Sequence, residues 1–219
     1  MDGPDIDEKR AQMYWWFSSL FFSELDESQL NQYISPPFHL FLDQLAEAPQ
    51  LHRSAHAFKT ALSQLQMRPD AQLELAADFC GLFLMGDRAG AMPYASSYLS
   101  NDKLLHGKPA QELADIFAAH QIALNDNHNE ARDHIAVILD FIGNLAINSH
   151  QYPDDSFYNA HLNEQLTLLR AYLLSWIPQF VTKCTENDQF GFYANAAQLL
   201  NDYLLFDEQY LSERVEATD

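Results

Sequence analysis

The sequence contains few of the residues that stabilise disulfide-rich or β-rich proteins. Its 219 residues include two cysteines, Cys80 and Cys184, and seven glycines. Two cysteines so far apart in the sequence do not suggest a disulfide framework. Runs of alternating Val, Ile and Thr, which would indicate strands, are scarce, whereas apolar residues recur at helical spacing along most of the chain. We therefore expect an all-α fold.

The sequence also lacks long apolar runs and a recognisable targeting segment. No stretch of 18 or more apolar residues is present, so we expect no membrane span. The N-terminal residues MDGPDIDEKR are acidic, and they lack the basic start and the apolar core of a signal peptide. These features predict a cytoplasmic protein.

Basic residues are scarce as well: 12 Lys and Arg stand against 31 Asp and Glu, and the formal net charge is −19. A surface of this charge repels nucleic-acid phosphates and anionic membranes, and it attracts cationic partners. It can equally serve solubility alone. We therefore expect no nucleic-acid ligand, and a basic partner is one of two interpretations of the charge.

The helical pattern predicts a bundle of roughly ten helices in two unequal units. The polar segment ALNDNHN, at 123–129, is the candidate hinge between an N-terminal unit, 1–122, and a C-terminal unit, 130–219. A hinge of this kind permits the exchange of one unit between two chains, so a homodimer is one expectation. Asp26 is expected to cap a short second helix, and 86–109 is expected to be a long loop.

No metal, nucleotide or cofactor motif is present. His52 and His56 are four residues apart in HRSAH, but the segment lacks the Glu of the zinc-binding H-E-x-x-H motif, and no further ligands lie nearby in sequence. The segment GDRAG is not followed by Gly-Lys-Ser/Thr, which excludes a P-loop. We expect no bound metal and no cofactor.

A nucleophilic hydrolase is the least favoured function. Ser96 or Ser97, with His134 and Asp133, would supply the three residue types of such a site. However, adjacent residues point about 100° apart on a helix, so Asp133 would not orient His134. The sequence also lacks the Gly-x-Ser-x-Gly motif. We therefore expect a binding protein and not an enzyme.

Three segments, in order along the chain, resemble the motifs of the TorD family. That family shows an Asp-aromatic-x-x-Leu-Phe run, a Pro-Tyr-x-Ser-x-Tyr loop and a Glu-Pro-x-Asp-His helix start. The matching segments are DFCGLF at 78–83, PYASSY at 93–98 and EARDH at 130–134. Two positions depart from the pattern: Ala131 replaces the usual proline, and Ala95 replaces a frequent Glu.

Members of this family are cytoplasmic chaperones for the maturation of molybdenum-cofactor oxidoreductases. The resemblance implies that the chain binds the twin-arginine signal peptide and the apo-form of such an enzyme, and the overall match favours trimethylamine N-oxide reductase as the client. Such a peptide has two adjacent arginines followed by an apolar segment, which suits charge-assisted bonds to carboxylates beside an apolar groove. The alternative is a general acidic adaptor that docks another protein.

The resemblance also implies which residues line the peptide groove. They are Asp78, Phe79, Tyr94, Ser96, Tyr98, Glu130, Asp133 and His134. Tyrosines supply rigid contact area with a polar tip, which is frequent at recognition surfaces. We expect a helix over about 130–148. A competing structural interpretation of two of these residues is that Asp133 caps that helix and that His134 tethers the long loop.

Overall fold

The computed structural model describes residues 3–85, 90–100, 107–120, 130–149 and 155–217. Within these ranges the regular secondary structure is helical, so the prediction of an all-α fold is confirmed. None of the described helices is both long and apolar enough to cross a membrane. The helices are α1 (Gly3–Phe22), α2 (Glu27–Tyr33), α3 (Pro36–Leu45), α4 (His52–Gln66), α5 (Ala71–Phe79), α6 (Ser96–Leu99), α7 (Lys108–Ala119), α8 (Ile135–Asn148), α9 (Asp155–Leu169), α10 (Ile177–Asn187) and α11 (Phe192–Glu216).

Contacts divide the chain into two compact units, each built from segments that are distant in sequence. Unit 1 comprises 1–22, 93–176 and 207–219, and unit 2 comprises 23–92 and 177–206. The predicted hinge, 123–129, lies outside the described residues. The predicted division at that point therefore stays a prediction.

Helix α8 forms the centre of unit 1. Ten of its fourteen residues are buried, because apolar residues lie on nearly every side of the helix and not on one stripe. Burying each large apolar side chain contributes about 1.5–3 kcal/mol. On one side α8 packs against α1, where Gly143 faces Tyr14 and Trp15. A Cβ atom at Gly143 would lie 2.8 Å from Trp15 Nε1 and 3.2 Å from Tyr14 Cβ, so the close approach requires glycine.

One arginine of unit 1 is buried in a polar network. Arg10 is 5% exposed, and its Nε and Nη2 donate to the two carboxylate oxygens of Asp207 at 2.6 and 2.9 Å. Nη2 also donates to Gln165 Oε1 at 2.9 Å, and Nη1 lies 3.3 Å from Asp7 Oδ1. The Tyr14 hydroxyl donates to Asp207 Oδ2 at 2.6 Å. The network therefore joins α1 to α9 and to the last part of α11.

Unit 2 has an aromatic core. Its first helix, α2, begins with a capping box: Asp26 accepts the Gln29 N–H at 2.7 Å, and the Gln29 side chain accepts the Asp26 N–H at 2.9 Å. The predicted cap at Asp26 is confirmed. Helix α5 continues as a π-helical turn, Cys80–Leu84, before the chain leaves the core. The buried aromatic residues described in this unit are Tyr33, Phe58, Phe79, Phe83, Phe180, Phe192, Tyr193 and Tyr203.

We predict that Gly143→Ala lowers the free energy of unfolding by about 1–3 kcal/mol, because the added methyl group overpacks the α1–α8 contact. Gly81→Ala is the matched control, since a Cβ at Gly81 meets no atom within 4 Å. That substitution should be neutral or stabilising by up to about 1 kcal/mol, through lower backbone entropy of the unfolded chain. Urea denaturation measures both. Equal effects at the two glycines would contradict the close packing of α8.

A second prediction concerns the Arg10 network. Asp207→Ala should lower the free energy of unfolding by about 3–5 kcal/mol, because a buried guanidinium loses its carboxylate and Tyr14 loses its acceptor. Asp5 pairs with Lys9 at 2.8 Å on the exposed side of α1, so Asp5→Ala is the control. It should cost about 1 kcal/mol or less. If both substitutions cost the same in thermal and urea unfolding, the network does not join these helices.

Candidate functional site

The residues before α8 form a turn that pairs with the preceding loop, and the expected helix start at 130 is wrong. Helix α8 begins at Ile135, and the N–H of Ile135 donates to the carbonyl of Pro93 at 2.8 Å. The N–H of Ala95 donates to the carbonyl of Asp133 at 3.0 Å. In a helix starting at 130, the Ile135 N–H would instead be bonded to the carbonyl of Ala131. We call this paired region, 93–99 with 130–135, the loop–helix junction.

Asp133 holds the loop in place. Its Oδ2 accepts the backbone N–H of Ser96 at 2.9 Å, at the start of the short helix α6. The side chain is fully buried, and its Oδ1 accepts no hydrogen bond from any residue in the described ranges. A buried carboxylate with a single donor is costly to retain, so this bond is a strong constraint on the junction.

His134 caps α8. Its Nδ1 accepts the Ala136 N–H at 3.2 Å, and the side chain is 4% exposed. The competing structural interpretation therefore assigned the two roles the wrong way round. His134 caps the helix, and Asp133 tethers the loop. The reason is that His134 is the last extended residue before the helix, whereas Asp133 lies one residue earlier and opposite the loop.

The environment of His134 keeps its ring neutral. Burial lowers the pKa of His134 to about 4, and the nearby carboxylates of Glu130 and Asp133 oppose this shift without cancelling it. Because Nδ1 accepts a hydrogen bond, the neutral ring carries its proton on Nε2. The ring packs edge to face on Tyr94, with centroids 4.9 Å apart. With Nδ1 occupied by Ala136 and Asp133 Oδ2 by Ser96, the described contacts do not form the relay that a hydrolase needs.

The outer edge of the junction carries a carboxylate in a fixed position. The Tyr94 hydroxyl donates to Glu130 Oε2 at 2.6 Å, and both residues are partly exposed. Burial and the Glu130 carboxylate raise the pKa of Tyr94, so the hydroxyl stays protonated and continues to donate. Glu130 therefore combines access to solvent with a defined orientation.

Two further predicted residues support the loop. Ser96 is fully buried, and its Oγ accepts the N–H of Gly107 at 3.2 Å. The Tyr98 ring stacks on Trp176, with centroids 5.1 Å apart and planes at 24°. Six of the eight predicted residues thus lie in unit 1.

The remaining two predicted residues, Asp78 and Phe79, belong to unit 2. Phe79 packs in the aromatic core, 5.0 Å from Phe83 and 5.6 Å from Tyr193 between ring centroids. Burial and the neighbouring Asp188 carboxyl raise the pKa of Asp78 to about 7. Sequence reasoning missed Asp188.

The signal that could have identified Asp188 is its place before a glycine and a helix. Asp188 Oδ1 accepts the N–H groups of Phe190 and Gly191 at 2.8 and 2.7 Å, and Oδ2 accepts that of Ala194 at 2.7 Å. The turn requires a positive φ, which Gly191 supplies at +74°. An Asp shortly before an apolar helical run is typical of a helix N-terminus.

Comparisons with known proteins agree with the family resemblance. A family model described as nitrate reductase delta subunit matches residues 44–182. The chain is 46% identical over 206 residues to the Chaperone protein TorD of Vibrio vulnificus, covering 94% of this chain and 96% of that protein. It is 43% identical over 213 residues to the Chaperone protein TorD of Vibrio cholerae, covering 97% and 96%. It is 45% identical over 207 residues to that of Aliivibrio fischeri, covering 94% and 96%.

We predict that the low pKa of His134 makes stability depend on pH. The unfolded chain protonates this histidine below about pH 6.5, whereas the folded chain holds it neutral to about pH 4. The contribution of the neutral His134 to the free energy of unfolding is therefore complete above about pH 6.5. It is lost as the pH falls, by about 2 kcal/mol between pH 7 and pH 5.

His134→Asn provides the comparison, because Asn is a good N-cap but does not titrate. Urea denaturation at several pH values should show a steeper loss for the wild type than for the variant. Parallel curves between pH 7 and pH 5 would contradict the buried, neutral ring.

Proposed function

Since this chain belongs to the TorD family of chaperones, we propose that it holds a molybdoenzyme precursor in the cytoplasm by binding its twin-arginine signal peptide. It is a chaperone of molybdoenzyme maturation and not an enzyme. The proposed client is the apo-form of trimethylamine N-oxide reductase, which is held until the molybdenum cofactor is inserted.

One observation carries the proposed site. Five of the eight residues that the family resemblance singles out meet in the loop–helix junction through specific contacts. Tyr94 contacts both Glu130 and His134, and Ser96 is bonded to Asp133. Core packing alone would not require a carboxylate fixed by a tyrosine at a partly exposed edge.

We assign the direct contact to Glu130. An arginine guanidinium can bind a carboxylate through two parallel hydrogen bonds, and such bonds are strong when the carboxylate is oriented in advance. The 2.6 Å bond from Tyr94 orients it here. The partly exposed rings of Tyr94 and Phe22, which both pack on the buried His134 ring at centroid distances of 4.9 and 6.4 Å, offer an apolar face for the residues that follow the arginine pair.

Asp133 and His134 are assigned a positioning role. Both are buried, at 0% and 4% exposure, so they hold the edge that contacts the peptide. The net charge of −19 would speed encounter with a basic peptide, while the placed carboxylate supplies selectivity.

We predict that Glu130→Gln weakens binding of the signal peptide about tenfold to a hundredfold, as expected for the loss of a charge-assisted hydrogen bond. Tyr94 can still donate to the amide oxygen, so the melting temperature should change little. Asp115→Asn removes the same charge from an exposed position in α7 and should change affinity about twofold or less. Calorimetric titration with the precursor's signal peptide measures the affinity of the wild type and of both variants.

Several results would contradict the proposal. The wild type could fail to bind the peptide, or Glu130→Gln could bind as tightly as Asp115→Asn. Asp133→Ala separates the assigned roles, because a positioning residue should lower both the melting temperature and the affinity. A general acidic adaptor would instead bind independently of the arginine pair.

Exchange of helical units in a homodimer is also part of the proposal, and light scattering over a range of concentrations tests it.

A further inference from the structure

Helix α4 of unit 2 begins with two histidines on one face, and the proposed function uses neither of them. His52 is the first residue of the helix and His56 is four residues later, so their side chains project from the same side. Both residues are exposed. The pair lacks the Glu of the zinc-binding motif, but the binding of an ion by two imidazole rings does not require that residue. Whether the pair suits an ion depends on its ring nitrogens and on their spacing.

A backbone carbonyl fixes the tautomer of His52. The ring nitrogen Nδ1 lies 2.9 Å from the carbonyl oxygen of Ala46, which is an acceptor, so Nδ1 carries the ring proton. In the neutral ring, Nε2 therefore carries the lone pair that binds a metal. Metal-binding histidines almost always donate their other N–H to a carbonyl, a carboxylate or water, and this bond orients the ring. His52 thus has the supporting hydrogen bond of a metal-binding imidazole.

The spacing of the two rings suits one ion between them. The ring centroids of His52 and His56 are 4.6 Å apart, and the ring planes meet at 81°. A metal–nitrogen bond of about 2.0–2.1 Å places an ion about 3.2 Å from each centroid, so two rings bound at about 90–100° have centroids about 4.5–5 Å apart. The observed separation lies in this range. It fits neighbouring positions of a square-planar or octahedral ion better than the wider angle of a tetrahedral one.

A carboxylate on α3 adds negative charge near the pair. Asp43 forms an ion pair with Lys59, and the hydrogen bond from Lys59 lowers the pKa of Asp43. The charge of His56 acts on Asp43 in the same direction, so this carboxylate lies within electrostatic reach of the pair. Arg53, which is exposed and adjacent to His52, acts against a cation. The net charge of −19 favours cations over the surface as a whole.

We propose that His52 and His56 form a binding site for one divalent transition-metal ion, of the copper or nickel type, with both imidazoles as ligands and water at the remaining positions. Among the residues that the structure describes, no three or more His, Cys, Asp or Glu side chains are grouped so that they could hold a metal ion. The site is therefore open, unlike a structural zinc site with four protein ligands. The general order of affinities predicts that Cu²⁺ binds more tightly than Ni²⁺, and Ni²⁺ more tightly than Co²⁺.

Calorimetric titration with NiCl₂ at about pH 7.5 tests the site, since protons compete less for neutral imidazoles at this pH. Excess Mg²⁺ occupies surface carboxylates, because it prefers oxygen ligands to imidazole. The wild type should bind one Ni²⁺ per chain. His52→Gln and His56→Gln should each weaken binding about tenfold or more, because a single imidazole loses the effective concentration that the helix provides.

His120→Gln is the matched control. His120 is partly exposed in unit 1 and contacts Glu164, so this substitution removes a histidine from a different place and should leave the affinity for Ni²⁺ unchanged. Asp43→Asn should weaken binding less than either substitution in the pair, because its carboxylate acts through space and is not a ligand.

Thermal unfolding gives an independent readout. Saturating Ni²⁺ should raise the melting temperature of the wild type, because the ion bridges one turn of the folded helix and binds the unfolded chain less tightly. The rise should be smaller in His52→Gln and in His56→Gln. Circular dichroism without metal should show the same helix content in all variants, because both histidines are exposed.

Three results would overturn the inference. The wild type could fail to bind Ni²⁺ in excess Mg²⁺, or either variant of the pair could bind it as tightly as His120→Gln does. The latter result would mean that the two rings do not bind one ion together. Equal losses in Asp43→Asn and in the histidine variants would contradict coordination by imidazoles alone. The titrations use no signal peptide, so the proposed function stands or fails separately.

Discussion

The pairing of the segment 93–95 with the segment 133–135 is the constraint on which the architecture of unit 1 depends. Two backbone hydrogen bonds and the bond from Ser96 N–H to Asp133 fix the residue at which α8 begins. Because α8 is buried on nearly every side, a shift of its start would move each apolar residue against α1. The same pairing sets Tyr94 beside Glu130 and His134, so the core and the candidate site share one determinant.

Local sequence signals were sufficient where local contacts decide the structure. The helical period of the apolar residues gave the fold class, and the Asp26 cap depends on a residue three positions away. The start of α8 was predicted five residues too early, because Glu130 and Asp133 resemble a first helical turn. The partner that prevents a helix there is the carbonyl of Pro93, about forty residues earlier. The Arg10 network was likewise beyond local patterns, since Asp207 is 197 residues away.

By burial, the candidate residues divide into accessible groups, which we propose contact the peptide, and buried groups, which hold the accessible ones in place. Glu130 is partly exposed and is oriented by Tyr94. Asp133 is fully buried, and its Oδ2 accepts the N–H of Ser96 in the loop. Sequence motifs do not distinguish these cases, because both are carboxylates within four residues of one another. The overall acidity of the chain attracts any basic partner, but discrimination between basic peptides requires carboxylates of defined geometry.

The central claim is that recognition depends on the geometry of arginine and not on positive charge alone. The most direct measurement is calorimetric titration of the wild-type protein with the client's signal peptide and with a version in which both arginines are lysines. The account predicts that the lysine peptide binds more weakly by about tenfold or more, at equal charge and equal ionic strength. Equal affinity of the two peptides would contradict it.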